Sequence, residues 1–298
     1  MGSNVVVSAP RALHIQERLK SLDLLVVADF FLSETAQLAD VVLPSAQWAE
    51  EEGSMTNLEG RVIRRQQAFA APANVKTDSD ILCSLASYLG KGHFFAYAST
   101  ADIFAELCRA SAGGLADYAG ITYEKIEANN GIFWPCPTPD HPGTPRLFQE
   151  KFYTPTGRAR FTAVRHQSSA EMPDRNYPLY LTTGRVLAHY QSGTQTRRVA
   201  QLNEVLSSPF VEVHPTTARH YALANGDCAK LTTRRGCAVF TVRVTSTIRE
   251  DTVFVPFHWG GKQSINRLTN PALDPTSRMP EFKICAVRIE RVEPSTEA

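Results

Sequence analysis

The clearest periodicity lies in the last third of the chain, where apolar residues alternate with polar ones in short runs broken by turn residues. Such alternation with a period of two is the mark of half-buried strands. It predicts strands at 179–183, 210–213, 228–233, 238–245, 252–256 and 284–292, with turns at Asn225-Gly226-Asp227 and Arg235-Gly236. A helix fits 215–223, with Pro215 in its first turn. Six short strands with one helix between them predict a small β-barrel, and residues 293–298 are expected to fray.

The first ninety residues have another texture. Residues 1–10 read as the end of a strand and the loop after it, and a helix fits 12–22. Residues 24–28 form a continuous apolar run of buried parallel-strand type ending at Asp29. A helix with Ser33 as cap fits 33–39, and a short strand fits 40–44. Strand, helix and strand in succession predict part of a doubly wound α/β sheet. Glu59-Gly60 between 54–58 and 61–64 predicts a hairpin, and 78–89 predicts a helix with Asp78 near its N-terminus. Between 91 and 178 no steady period survives: a helix fits 101–110, five prolines between 132 and 145 exclude a central strand or helix, and 152–161 fits a small hairpin. The expected organisation is therefore a partial α/β domain over 1–90, an irregular proline-rich connection over 91–176 and the barrel over 177–298.

Composition narrows the chemistry. The 298 residues carry 31 Lys plus Arg against 30 Asp plus Glu, so no global field draws nucleic acid or an anionic membrane, and an anion site must be local. No run of about 18 apolar residues and no signal-peptide pattern is present, so a cytoplasmic chain is expected. The six cysteines include no CxxC pair, which leaves zinc and iron-sulfur ligand sets unspelled and reduced thiols as the expectation. Cys228 and Cys237 flank a possible hairpin and could face each other. His141 and His166 read as surface histidines, and His214, His220 and His258 as structural ones, since none has a partner at metal-ligand spacing.

The loop after 179–183 gathers glycine, hydroxyl and guanidinium groups. Gly184 and Gly193 permit close backbone approach, Thr183, Ser192, Thr194 and Thr196 offer hydroxyls, and Arg185, Arg197 and Arg198 offer forked donors. A bound pyrophosphate needs those groups, and an ordinary basic surface loop also contains them. Asp29, at the carboxyl end of a predicted strand, could accept from a guanine edge or a ribose, or simply cap the next turn. The irregular stretch 256–283 carries Phe257 and Trp259, which call for packing against a heterocycle or a loop core.

Ordered motifs along nearly the whole chain carry a resemblance: GSN (2–4), AD (28–29), ADVVLP (39–44), EGSMTNLEGR (52–61), TGRVLAH (183–189), PFHWG (256–260) and LTNPALDPTSRMPEFK (268–283). The chain resembles the C-terminal part of the bacterial assimilatory nitrate reductases, within the molybdopterin oxidoreductase family. That resemblance implies molybdenum held by two molybdopterin guanine dinucleotides, an iron-sulfur cluster upstream, reduction of nitrate to nitrite, an electron-donor protein or subunit, and a double-psi β-barrel bridging the two dinucleotides. It implies one nucleotide site with Asn4, Ala28, Asp29 and Asp78. It further implies that Thr183, Gly184, Arg185, Val186, Leu187, Ala188, His189, Tyr190, Gln191 and Ser192, with Phe257, Asn266 and Lys283, line the cofactor from the barrel side. Some relatives place a lysine beside the cofactor where this chain has Glu50, Glu51 and Glu52, so that contact does not carry over. The cluster-binding cysteines and the molybdenum ligand of the family have no counterpart here, so the chain reads as a fragment whose catalytic residues lie in a missing N-terminal portion. A formate dehydrogenase-like fragment and a non-catalytic pterin dinucleotide-binding module are the alternatives.

Overall fold

In the computed structural model, residues 1–293 are described; residues 294–298, most of the tail expected to fray, lie outside the described residues. The chain folds into two compact units, Met1–Val42 with His166–Ala298 in one and Leu43–Arg165 in the other. The first unit is thus discontinuous, a division different from three successive segments.

Its first segment holds helices α1 (Val5–Ser8) and α2 (Ala12–Lys20) and strand β1 (Val26–Asp29), and it ends within β2 (Val41–Pro44), which pairs with β1. The strand expected at the start is instead one helical turn. The Asn4 carbonyl accepts from the amides of Val7 and Ser8 at 3.1 and 3.0 Å, which coils three valines that would otherwise favour extension. The doubly wound sheet is represented by this two-stranded pair, and Leu24 and Val26 are exposed (63% and 48%) where a buried strand was expected. The expected helix at 33–39 is a single 3-10 turn, Ala36–Leu38. Ser33 lends its hydroxyl to the Asp29 carboxylate at 2.8 Å and receives only a long 3.4 Å contact from the Ala36 amide.

The second unit is built on β3 (Gly53–Thr56) and β4 (Arg61–Arg65), the predicted hairpin, with β5 (Ile132–Phe133) added antiparallel to β4. Three helices follow in it, α3 (Asp78–Tyr88), α4 (Thr100–Ser111) and α5 (Tyr123–Ala128). Thr77, not Asp78, caps α3 by accepting from the Asp80 amide. Ser99 and Asp102 close a capping box on α4. Much of the stretch expected to be an irregular connection has a core of its own, in which Phe104, Cys108, Ile121, Tyr123, Ile126, Ile132 and Cys136 surround Val62. The hairpin expected at 152–161 is a turn without strands, closed by the Phe152 amide on the Gly157 carbonyl at 3.0 Å.

The second segment of the first unit contains β6 (Leu179–Gly184), α6 (Ala200–Val205), β7 (Phe210–Val213), α7 (Pro215–His220), β8 (Cys228–Thr233), β9 (Gly236–Val244), β10 (Thr252–Pro256) and β11 (Cys285–Val292). The six strands close into a barrel in the order β10-β6-β11-β8-β9-β7. Alternation sets its interior: Leu181, Val211, Val213, Leu231, Val253, Val255 and Val287 are fully buried. Cys228 lies opposite Thr241 and Cys237 opposite Thr232, so these cysteines do not face each other, and all six cysteines are free.

A strap before the barrel is fastened by Glu171. Its carboxylate receives the Arg235 guanidinium and the Ala286 amide, the latter at 2.6 Å. Burial works to raise the Glu171 pKa, but the Arg235 and Ala286 hydrogen bonds and the charges of Arg235 and Arg234 outweigh it and hold the group below its ordinary value.

Candidate functional site

The barrel topology brings the implicated segments to one end. β6 and β10 run parallel with Gly184 opposite Pro256, so the loops that follow them leave side by side. β11 is antiparallel to β6, with Cys285 opposite Leu181, so Lys283 enters at that same end. The Lys283 ammonium donates to the Thr183 carbonyl at 2.8 Å and lies 5.2 Å from the centre of the Phe257 ring.

The loop after β6 is held from within. His258 is fully buried, its Nε2 accepts from the Val186 amide at 3.0 Å, and its Nδ1 meets the Gln191 carbonyl at 2.6 Å. Since a carbonyl only accepts and an amide only donates, the ring is the neutral Nδ1–H tautomer. His189 is buried too: one ring nitrogen donates to the Leu206 carbonyl at 2.7 Å and the other contacts the Thr196 hydroxyl at 3.1 Å. Its ring is therefore spent on protein partners, and its amide donates to the Val186 carbonyl at 3.2 Å.

The two glycines serve this internal packing. A Cβ on Gly184 would sit 2.6 Å from the Phe254 ring, and one on Gly193, where φ is +70°, 2.5 Å from the His258 carbonyl oxygen. Their close neighbours are thus protein atoms, and Gly184 also borders open space. Two of the three arginines are likewise occupied. Arg197 pairs with Glu34 at 2.6 Å, while Arg198 donates to the Thr194 carbonyl and lies over the Phe31 ring at 4.6 Å. Arg185 remains, exposed and in loose contact with Gln191 at 3.5 Å.

The residues placed in the nucleotide site by resemblance separate into two groups. Asn4 is buried and spends its amide on Glu34 and Thr194, and its oxygen on Thr35. Ala28 is buried with its carbonyl accepting from the Gly2 amide at 2.9 Å. Asp29 caps the following turn through the Phe30 amide and the Ser33 hydroxyl, which is the plainer of its two expected roles. Asn266, implied on the barrel side, is buried too and donates to the Val7 carbonyl at 2.6 Å, yet it also borders an open cleft. Asp78 is exposed in the first turn of α3, within the Leu43–Arg165 unit.

The second group lines open space. A cleft of about 550 Å³ is bounded by Ser8, Gly184, Arg185, Gln191, Phe257, Asn266, Phe282 and Lys283. A neighbouring hollow of about 490 Å³ is bounded by Arg185, Val186, Leu187 and Ala188 with Phe210 and Phe254. Tyr190 is exposed at the loop tip, and the Ser192 hydroxyl turns to Thr194 at 2.8 Å. Ser8 and Phe282 were not singled out by the sequence, although both sit inside or beside motifs that were.

The first cleft suits an anion with a flat heterocycle. Arg185 and Lys283 both border it, and neither makes an ion pair among the described residues. Burial, then the charge of Arg185, pushes the Lys283 ammonium below its ordinary pKa. Two like charges share a wall without a counterion; the Thr183 hydroxyl, buried and without a hydrogen-bond partner, does not border this cleft. A phosphate group would supply that counterion, and Phe257 and Phe282 border the same space. Among the described residues no group of three or more His, Cys, Asp or Glu side chains could hold a metal ion. No helix among them is long and apolar enough to cross a membrane.

Comparison with known proteins bears on the same segments. Residues 1–88 match the molybdopterin oxidoreductase family model, and residues 179–286 match the molydopterin dinucleotide binding domain. Over 291 residues the chain is 47% identical to the assimilatory nitrate reductase catalytic subunit of Bacillus subtilis (strain 168), covering 97% of this chain and 41% of that protein. It is 44% identical over 292 residues to the F420-dependent formate dehydrogenase subunit alpha of Methanocaldococcus jannaschii, covering 98% of this chain and 42% of that protein. The chain thus spans about two fifths of the length of these curated relatives. Among solved structures, acetylene hydratase from Pelobacter acetylenicus shares the fold with a TM-score of 0.76 at 19% identity, covering 98% of this chain and 44% of that one. The chain belongs to the molybdopterin oxidoreductase family.

Proposed function

We propose that this chain supplies one side of the binding site for a molybdopterin guanine dinucleotide in a molybdenum oxidoreductase, with nitrate as the substrate of the assembled enzyme. The observation that carries the dinucleotide reading is the pair of unneutralised cations, Arg185 and Lys283, on the wall of a 550 Å³ cleft lined by aromatic rings. The bound cofactor would supply the metal that exchanges an oxygen atom and two electrons with the substrate. The residues of this chain bind and orient. Arg185 and Lys283 neutralise phosphate, and Phe257 packs on a ring. We read the barrel, with its two parallel pairs β10–β6 and β7–β9, as the double-psi type. Leu187 and Ala188, which border the neighbouring hollow, would contribute further cofactor contacts.

The choice of nitrate rests on the 47% identity with the assimilatory enzyme. Formate is the second reading, favoured by the 44% identity with a formate dehydrogenase subunit. The iron-sulfur cluster, the metal ligand and the contact to an electron donor would come from the part of the relatives' length that this chain does not span. We place the protein in the cytoplasm, in keeping with six free cysteines.

Calorimetric titration of the purified chain with GDP, a probe for the nucleotide end, tests the site. Binding that is weakened in Arg185→Ala and Lys283→Ala is expected, and no heat at millimolar GDP rejects the reading. In the assembled enzyme, nitrate-dependent oxidation of a reduced viologen against formate-dependent reduction of an oxidised one decides the substrate.

A further inference from the structure

His258 touches no open space, yet it holds both ends of the exposed turn that borders the cleft. Its two partners, Val186 and Gln191, bracket residues 187–190, and each of them is next to or part of the cleft wall. The turn needs such a brace. Gln191 has a φ of +50° and Gly193 one of +70°, two left-handed residues within three positions, and Leu187 and Tyr190 project into solvent with little packing to hold them.

We infer that His258 is the positioning residue of the cleft: its neutral ring fixes the loop that presents Arg185, and protonation of Nε2 releases the Val186 end of that loop. The inference rests on the cleft reading above. A protonated Nε2 would point an N–H at the Val186 N–H across 3.0 Å, replacing attraction by repulsion. The bond from Nδ1–H to the Gln191 carbonyl survives and strengthens, so release is one-sided. Arg185, directly before Val186, is the cleft residue that gains freedom.

The surroundings favour the neutral ring. Burial is the largest influence, and the charges of His189, Arg185 and Arg197 add to it against the pull of the Gln191 carbonyl. The aromatic neighbours are Phe257 and Trp259 from its own segment and His189 from the loop, with ring centres 4.9, 5.8 and 5.8 Å away. Glu34, which lies beside Gly260, is committed to Arg197 and Asn4. His258 is therefore neutral at pH 7, and the loop is loosened only on acidification below the ordinary histidine range.

Amide hydrogen exchange of the ligand-free full chain, followed by NMR between pH 7.5 and 5 and corrected for intrinsic exchange, tests this. Protection of the Val186 amide is expected to fall about tenfold as His258 protonates, while the barrel amide of Leu231 keeps its protection. His258→Gln, whose side-chain oxygen can accept from Val186 but cannot titrate, is expected to keep the protection at pH 7 and lose its pH dependence. His258→Phe is expected to lose it at every pH. Val186 protection that does not change with pH in the wild-type chain, or changes equally in His258→Gln, overturns the inference; the wild-type course needs no variant to fold. GDP titration in the same samples keeps the two readings apart. Protection that follows pH without GDP binding removes the cleft reading alone, and GDP binding with pH-independent protection removes the brace alone.

Discussion

Replacing Asn4 by alanine separates an internal brace from a ligand contact. Its amide donates to Glu34 at 2.7 Å and Thr194 at 2.9 Å, and its oxygen accepts from the Thr35 amide at 3.2 Å and the Thr35 hydroxyl at 2.9 Å. The three neutral bonds contribute about 0.5–1.5 kcal/mol each and a charge-assisted one about 1.5–3 kcal/mol. The Glu34 bond counts for less than that, because this carboxylate is 26% exposed and keeps Arg197. Alanine would also leave the buried Thr35 amide without its acceptor. Allowing for non-additivity within one network, Asn4→Ala should cost about 2–4 kcal/mol. At a urea dependence of about 2 kcal/mol/M, that lowers the midpoint by roughly 1–2 M. The probe is Trp259, 2% exposed in the barrel unit, read in a chain where Trp48 and Trp134 of the other unit are phenylalanine. A residue serving only a ligand would shift stability by no more than about 0.5 kcal/mol, as exposed substitutions do. An unmoved midpoint with an unchanged slope would sink the brace and return Asn4 to the ligand.

Arg185→Ala should weaken GDP binding by about 1.5–3 kcal/mol, the worth of a charge-assisted contact, in the same calorimetric titration; unchanged affinity removes Arg185 from the site. Gly193→Ala should destabilise the barrel unit by about 1–3 kcal/mol, since the residue is left-handed and its Cβ would meet the His258 carbonyl; a thermal midpoint within a degree of wild type refutes it. Glu171 has a folded pKa below the ordinary value of 4.5, so its contribution is present above that pH and lost as pH falls through the folded pKa. Glu171→Gln should thus lower stability at pH 7 by about 3 kcal/mol and flatten the loss below pH 4.5, as measured by urea unfolding across pH. The isolated chain should not reduce nitrate with a viologen donor, and molybdenum-dependent turnover by it would contradict that.

The barrel was readable because its strands alternate: 210–213, 228–233 and 252–256 fall where the pattern puts them. In the Leu43–Arg165 unit the hairpin and the helices α3 and α4 were legible, but their common core was not, because it also draws on the short elements α5 and β5 and on the turns that join them. Lys125 there donates to the backbone carbonyls of Gly120, Pro139 and His141 at 3.1, 2.6 and 2.7 Å, and no side-chain pattern encodes a carbonyl acceptor. In the loop after β6 the residue types named the chemistry but not its direction. Arg197 looked like a phosphate donor until its partner Glu34 appeared, 163 positions away. His258 stood in a motif, yet only the folded chain shows that its two nitrogens hold one turn.

The cleft therefore depends on both ends of the chain. Asn4 to Thr194, Arg197 to Glu34 and Asn266 to Val7 tie the first segment to the barrel loops over separations of 190, 163 and 259 residues. Closing contacts of that range is entropically costly, and the cost grows only slowly with length, so the intervening unit adds little beyond the first closure. A ligand in the cleft binds the joined state and not the open one. At a hundred times its Kd it should stabilise that unit by about 2.7 kcal/mol. Trp259 should then report a raised midpoint with GDP while Trp48 and Trp134, in the Leu43–Arg165 unit, report none. Equal shifts at all three would mean that the two units unfold as one, and no shift at Trp259 would mean that the cleft does not hold the nucleotide.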